Sequence, residues 1–189
     1  MSVDLIARYE SREQVVETLR HNRDLSGVDL SGLDLSGIKL TGLNMEGANL
    51  SDADLQGATL AASNMTGVDL SGAILNGARV AVANLGGASL RGTQCRAAKI
   101  SAVNLEDADL AEADLSGSRW LGVNVEGADF SGANTTGARA SAVDWSEAKQ
   151  PPAEIPEALP IPPWLPALLA GSAVLIVVAV LLAKKRRRG

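Results

Sequence analysis

From Leu25 to Trp145 one structural position recurs at every fifth residue, twenty-five times, without insertion or deletion. Fourteen of these residues are Leu; Met45, Met65, Val80, Cys95, Ile100, Trp120, Val125, Phe130 and Trp145 add nine more apolar side chains, and only Thr135 and Ala140 fall short. The residue two before is small or aliphatic, the residue just before is mostly Asp or Asn, and the residue two after is Gly in sixteen units. A period of five matches neither a helical face (3.6) nor an alternating strand (2). It matches a chain that turns a corner every five residues and sends one large side chain inward per side. Gly or Asn at the corner tolerates positive φ.

Units such as Ala48-Asn49-Leu50-Ser51-Asp52, Ala53-Asp54-Leu55-Gln56-Gly57 and Ala128-Asp129-Phe130-Ser131-Gly132 resemble the A(D/N)LXX motif of pentapeptide-repeat proteins. That resemblance implies an all-β solenoid, a right-handed quadrilateral β-helix with four units per coil. The chain tests the count by itself, because a 20-residue coil must stack like on like. Asn44, Asn64, Asn84, Asn104 and Asn124 form one unbroken column, with Asp24 and Asp144 at its ends, and stacked amides can hydrogen-bond up a ladder. Residues 39, 59, 79, 99, 119 and 139 read Lys, Thr, Arg, Lys, Arg, Arg. Twenty-five units make about six coils, a rod ~30 Å long at ~4.8 Å per coil.

Five segments follow. Residues 1–22 are expected to cap the first coil with a short amphipathic helix: Ser11 and Gln14 read as a capping box, and Val15, Val16 and Leu19 line one helical face. Residues 23–147 are the repeat, with Trp145 covering its last coil. Residues 148–163 hold six of the seven prolines and are expected to be a stiff, extended linker rather than a folded element. Residues 164–183 are twenty residues without a charge, long enough as a helix to cross a bilayer once. Residues 184–189 are a basic tail. Trp164 suits one interface, and Lys184, Lys185 and Arg186 suit the other.

The chain is thus expected to be a single-pass protein of a bacterial cell membrane, held in the lipid bilayer by a C-terminal transmembrane helix. Cations after the span would keep the tail in the cytoplasm and the rod outside. Residues 1–22, however, lack a charged n-region followed by an apolar h-region, which favours a cytoplasmic rod. Both orientations stay open, with a slight preference for the second. Ala167, Gly171, Ala179 and Ala183 at four-residue spacing suggest weak self-association of such helices.

Composition argues against chemistry. One Cys and one His exclude a disulfide framework and argue against structural zinc and most nucleophilic triads. His21 reads as a solvated or capping residue. Cys95 replaces Leu in a column (Leu35, Leu55, Leu75, Cys95, Leu115) and reads as a buried, inert thiol. Stacked pairs such as Asp34/Asp54 and Asp109/Asp129 are expected to raise one another's pKa. No phosphate loop or metal spacing is present. No aromatic lies between residues 10 and 119, so base stacking on nucleic acid has no platform. The expectation is no enzyme, no cofactor, no metal and no nucleic-acid partner; Trp120 and Phe130 widen the core locally.

Charge carries the remaining signal. Residues 23–147 hold 8 cations and 16 anions, yet one column collects Lys39, Arg79, Lys99, Arg119 and Arg139. Small or apolar residues flank it (Ala61, Ala62, Ala81, Val82, Leu121), and Asp29, Asp69, Asp109 and Asp129 stand two corners away. Like charges ~5 Å apart repel. Either they splay and pair with acids on adjacent sides, or the column is a partner-binding stripe. Two functions are therefore expected to compete. One is a membrane-anchored, non-catalytic scaffold presenting a rigid β-helix to an unidentified protein partner. The other follows from the family resemblance: a DNA mimic that binds type II topoisomerases and protects them from quinolones.

Overall fold

The computed structural model describes residues 8–159. The rod is a parallel β-solenoid whose coil is 20 residues. Seven short strands stack in chain order to form one face: β1 (Lys39–Thr41), β2 (Thr59–Ala61), β3 (Arg79–Ala81), β4 (Lys99–Ser101), β5 (Arg119–Leu121), β6 (Arg139–Ser141) and β7 (Glu157–Ala158). Neighbours pair in parallel with a constant offset, Leu40 beside Leu60 beside Val80 and onward to Ala140. The other three faces are held by isolated bridges of the same 20-residue step, such as Asp29 to Asn49 and Asp34 to Asp54.

The five-residue unit explains each corner. On the three bridging faces the N–H of the residue three after the Leu position donates back to its carbonyl, as Ala48 to Met45 at 3.1 Å, with Gly47 between them at φ +63°. That is a type II turn, which demands positive φ at its third residue. The strand face turns without this bond, and its corners hold Ala62, Val82, Ala102 and Ala142 at φ +51° to +55° as well as Gly42 and Gly122.

Two side chains per unit point inward: the Leu position, and also the small residue two before it. Leu50, Leu55, Ala48, Ala53 and Ala58 are all fully buried. The interior is therefore layered, large then small, and needs no long-range helix packing. A small apolar cavity of about 20 Å³ sits mid-rod where Val80, Cys95 and Ile100 stand in for Leu.

Both ends are closed. Helix α1 (Arg12–Leu19) begins at Ser11, whose Oγ accepts from the Gln14 N–H at 3.4 Å, while Gln14 Oε1 accepts from the Glu10 N–H at 2.8 Å. Val15 is fully buried and Leu19 packs on the core, but Val16 is exposed, so the apolar face is narrower than the sequence suggested. Elsewhere in the rod Gln56 and Ala61 carbonyls accept from Gly37 and Gly42 of the preceding coil, each at 2.8 Å. The first coil has no predecessor. There the Arg12 guanidinium donates to the equivalent Ser36 carbonyl and Arg23 to that of Thr41. Arginine side chains thus replace missing backbone donors.

At the other end Trp120, Phe130 and Trp145 form an aromatic plug with ring centroids 5.4–6.0 Å apart, two of the three contacts edge-on. The Trp120 indole N–H donates to Ser118 Oγ at 2.7 Å. Residues 148–163 were expected to be an extended linker rather than a folded element; the described part, 148–159, instead runs along the last coil. Gln150 bridges Asp129, β7 pairs with β6, the Thr135 hydroxyl donates to the Glu154 carbonyl, and Ser141 Oγ donates to that of Leu159 at 2.9 Å. Pro152 and Pro156 are buried there. Proline is compatible with this place because a terminal coil needs few donors, and a proline-bearing edge resists further pairing. The expected span at 164–183, with Trp164, and the tail with Lys184, Lys185 and Arg186 lie outside the described residues. Within those residues no helix is long and apolar enough to cross a membrane.

Candidate functional site

The strand face gathers the five cations singled out by the sequence. Lys39, Arg79, Lys99, Arg119 and Arg139 are the first residues of β1, β3, β4, β5 and β6, in register through Thr59, and all five are exposed. Strand alternation forces this: the central residue of each strand is buried, so its neighbours point out. Every acid between residues 23 and 147 stands off these strands and their corners.

Pairing separates this face from the others. Arg91 meets Asp109 at 3.8 Å and also Glu112; Arg96 meets Asp114 at 2.6 Å; Lys149 meets Asp129 at 3.4 Å; and Arg8 meets Asp29 at 3.7 Å. None of the five stripe cations makes an ion pair or side-chain hydrogen bond with a described residue. The reading in which they splay to meet acids on adjacent sides has no pair behind it. Two residues of the face were not singled out as site residues. Val82 is exposed at a left-handed corner, φ +53°, costly for a β-branched side chain. Glu157 continues the column beside Arg139. Its clue in the sequence was Thr135 and Ser141, polar residues in a failing repeat whose hydroxyls tie the terminal segment down.

The acidic faces behave differently from expectation. Asp34 and Asp129 were expected to have raised pKa values, and both are lowered. For each the chief cause is the backbone N–H two residues on, from Ser36 and Ser131, reinforced by the serine side chain. Ser26 and Ser31 side chains do the same for Asp24 and Asp29. Local hydrogen bonds to the ionised form outweigh like-charge stacking in water. The Asn column is a hydrogen-bonded ladder: Asn44 to Asp24 at 3.0 Å, Asn64 to Asn44 at 3.1 Å, Asn104 to Asn84 at 3.1 Å and Asn124 to Asn104 at 2.8 Å. Asn84 breaks step and donates to Thr66 Oγ1 at 2.9 Å.

Burial pushes the Cys95 thiol up to about 11, against a weaker opposing contact with Thr93. His21 is exposed beside Glu17 at 3.7 Å. Among the described residues no group of His, Cys, Asp and Glu could hold a metal ion. The mid-rod cavity is lined by apolar side chains and has room for about one water-sized probe, too little for a substrate.

The fold and this surface define a four-sided parallel solenoid built from five-residue units, with one strand face set apart by charge. The family model for pentapeptide repeats matches residues 24–57, 44–80, 83–117 and 108–144, more than half of the chain, and the chain belongs to that family. Among solved structures it is similar to the pentapeptide repeat protein Rfr23 of the cyanobacterium Cyanothece 51142, at 22% identity and a TM-score of 0.51, covering 70% of this chain and 98% of that one. HetL of Nostoc sp. strain PCC 7120, involved in heterocyst differentiation regulation, matches at 21% identity and a TM-score of 0.32, covering 78% and 100%. QnrB1, a plasmid-mediated fluoroquinolone resistance protein, matches at 21% and 0.31, covering 79% and 89%. Comparison with curated protein sequences gives no match.

Proposed function

We propose that this chain is a membrane-anchored, non-catalytic scaffold that presents a rigid β-helix and engages an acidic surface through its strand face. The observation that carries the reading is the column of five exposed cations, none ion-paired to a described residue, on a face that has no acid between residues 23 and 147, within a body that is otherwise acidic. The anchor rests on the uncharged stretch 164–183 between Trp164 and the cations Lys184, Lys185 and Arg186. A topoisomerase-binding DNA mimic would dock through the acidic turning faces and would leave the cationic column without a use.

The test places a photo-reactive residue at Ala62, a corner of the strand face, in the full chain in cell membranes. The chain should resist an alkaline carbonate wash and give a photo-adduct that is lost when Lys39, Arg79, Lys99, Arg119 and Arg139 are all changed to Glu. Release by carbonate overturns the anchor, and an unchanged adduct overturns the docking face.

A further inference from the structure

We propose that the acidic surface met by the strand face is the anionic headgroup layer of the bilayer itself, so that the rod lies down on the membrane. This rests on the membrane-anchor reading above. Three observations carry it.

The first is where the described chain ends. Leu159 donates its N–H to the Ala140 carbonyl at 3.0 Å, and Ser141 holds its carbonyl, so the chain leaves the rod on the strand face. Only Pro160, Ile161, Pro162 and Pro163 separate it from Trp164. The five steps from Leu159 to Trp164 reach at most about 18 Å. The cationic column begins within that distance of the membrane surface, and the tether raises its local concentration there.

The second is charge. From Lys39 to Arg139 the column spans five coil steps, ~24 Å. Standing upright, the rod would hold its far cations several Debye lengths (~8 Å each) from the headgroups; lying flat, it brings all five within one. Only this face can do so, because the other three carry the acids. Glu157 at the membrane-proximal end opposes one of the five and leaves an excess of four.

A second copy of the rod is a poorer occupant. Three of the four acids in its column two corners away are already engaged, Asp29 by Arg8, Asp109 by Arg91 and Asp129 by Lys149, which leaves Asp69 alone to meet five cations.

The third is Val82. It is 54% exposed in a strained left-handed corner, with half-buried Ala81 before it, half-buried Ala61 on the preceding coil and half-buried Leu121 two coils further along the same face. An apolar side chain held out amid cations suits the headgroup–acyl boundary, where basic residues and apolar contacts act together.

The experiment uses the full chain reconstituted into vesicles, with an environment-sensitive label on Val82→Cys or, on the opposite face, Ser131→Cys. Cys95 is buried and stays unlabelled. In vesicles with a third anionic lipid, lipid-borne quenchers should quench the label at 82 and not that at 131. Quenching should fall severalfold between 0.1 and 0.5 M salt. It should also fall on changing the five cations to Gln, by more than about tenfold in docked population, since each basic residue near such a surface is worth about fivefold. Circular dichroism checks that the variant keeps its fold.

Equal quenching in neutral vesicles overturns the proposal, as does quenching at 131. Shielding of 82 from aqueous iodide without lipid quenching puts a second copy of the chain on the face and also overturns it. Resistance to carbonate without quenching sinks the docking and leaves the anchor standing. Release by carbonate, with salt-sensitive binding of the released chain to anionic vesicles, sinks the anchor and upholds the docking.

Discussion

The strand face and the three turning faces are made from one five-residue unit, yet they spend its outward positions differently. On the turning faces the residue before each Leu is mostly Asp or Asn. Its oxygen accepts from the backbone two residues on, or its amide reaches the next coil, so outward polar groups are tied into the rod. On the strand face the same position holds Lys or Arg in all but Thr59, with the cationic side chains bonded to nothing in the described chain, and the corner tolerates Ala and Val where the others mostly use Gly. Groups bound locally build the fold. Groups held out without a partner are available to something else. In the first coils the difference is confined to the surface, since Leu40 and Leu60 beneath the strand face are as buried as Leu30 and Leu50 beneath the opposite one; further along, Val80, Ile100, Trp120 and Ala140 replace Leu under the strand face.

That claim breaks first in the core. Leu40 under the strand face and Leu50 under the face two corners away are both fully buried. Leu40→Ala and Leu50→Ala should each cost about 3 kcal/mol, within the usual range for large-to-small core changes. Chemical denaturation of the two variants measures this. Costs differing by more than about 1 kcal/mol would mean that the faces differ inside as well as out.

A smaller effect sharpens the contrast at the surface. Asn104 donates to Asn84 and accepts from Asn124 and from the Glu106 N–H, so Asn104→Ala removes three bonds at one rung. The expected cost is about 1–2 kcal/mol, as neighbours regain water for part of what they lose. Lys99→Ala, one corner back along the chain, should stay within about 0.5 kcal/mol because the side chain holds nothing. Equal costs in thermal or denaturant unfolding would erase the distinction between a structural and a presenting face.

How much of this the sequence carried follows from the same physics. The coil, its length and its inward column are local and repeated, so each unit restates them and Asn44 to Asn124 confirm the count. The stripe was legible for the same reason. What escaped was non-repeating. Thr135, Ser141 and Gln150 tie the terminal segment through single bonds to particular carbonyls and amides. No periodicity announces them, and the prolines beside them read as a linker. The lowered acids escaped because stacking suggested repulsion, whereas a serine N–H two residues away is closer and points directly at the carboxylate. Arg12 and Arg23 escaped because a guanidinium that replaces a missing coil has meaning only once the coil geometry is known.

The smallest effect is the pH response, and it belongs to the turning faces alone. Asp24, Asp29, Asp34 and Asp129 are held below the ordinary value of 3.8, first by Ser side chains or backbone N–H groups. A carboxyl depressed in the folded state contributes stability that is complete above its unfolded pKa and is lost as pH falls through the folded one. Unfolding temperature should therefore hold steady down to about pH 5 and drop below about pH 4. Asp34→Asn keeps an oxygen for the Ser36 N–H but cannot take up a proton, so it should flatten part of that drop. Lys99→Gln should leave the curve's shape unchanged. An unfolding profile that is flat to pH 2, or one reshaped as much by Lys99→Gln as by Asp34→Asn, would show that the acids are not held by the local bonds assigned to them.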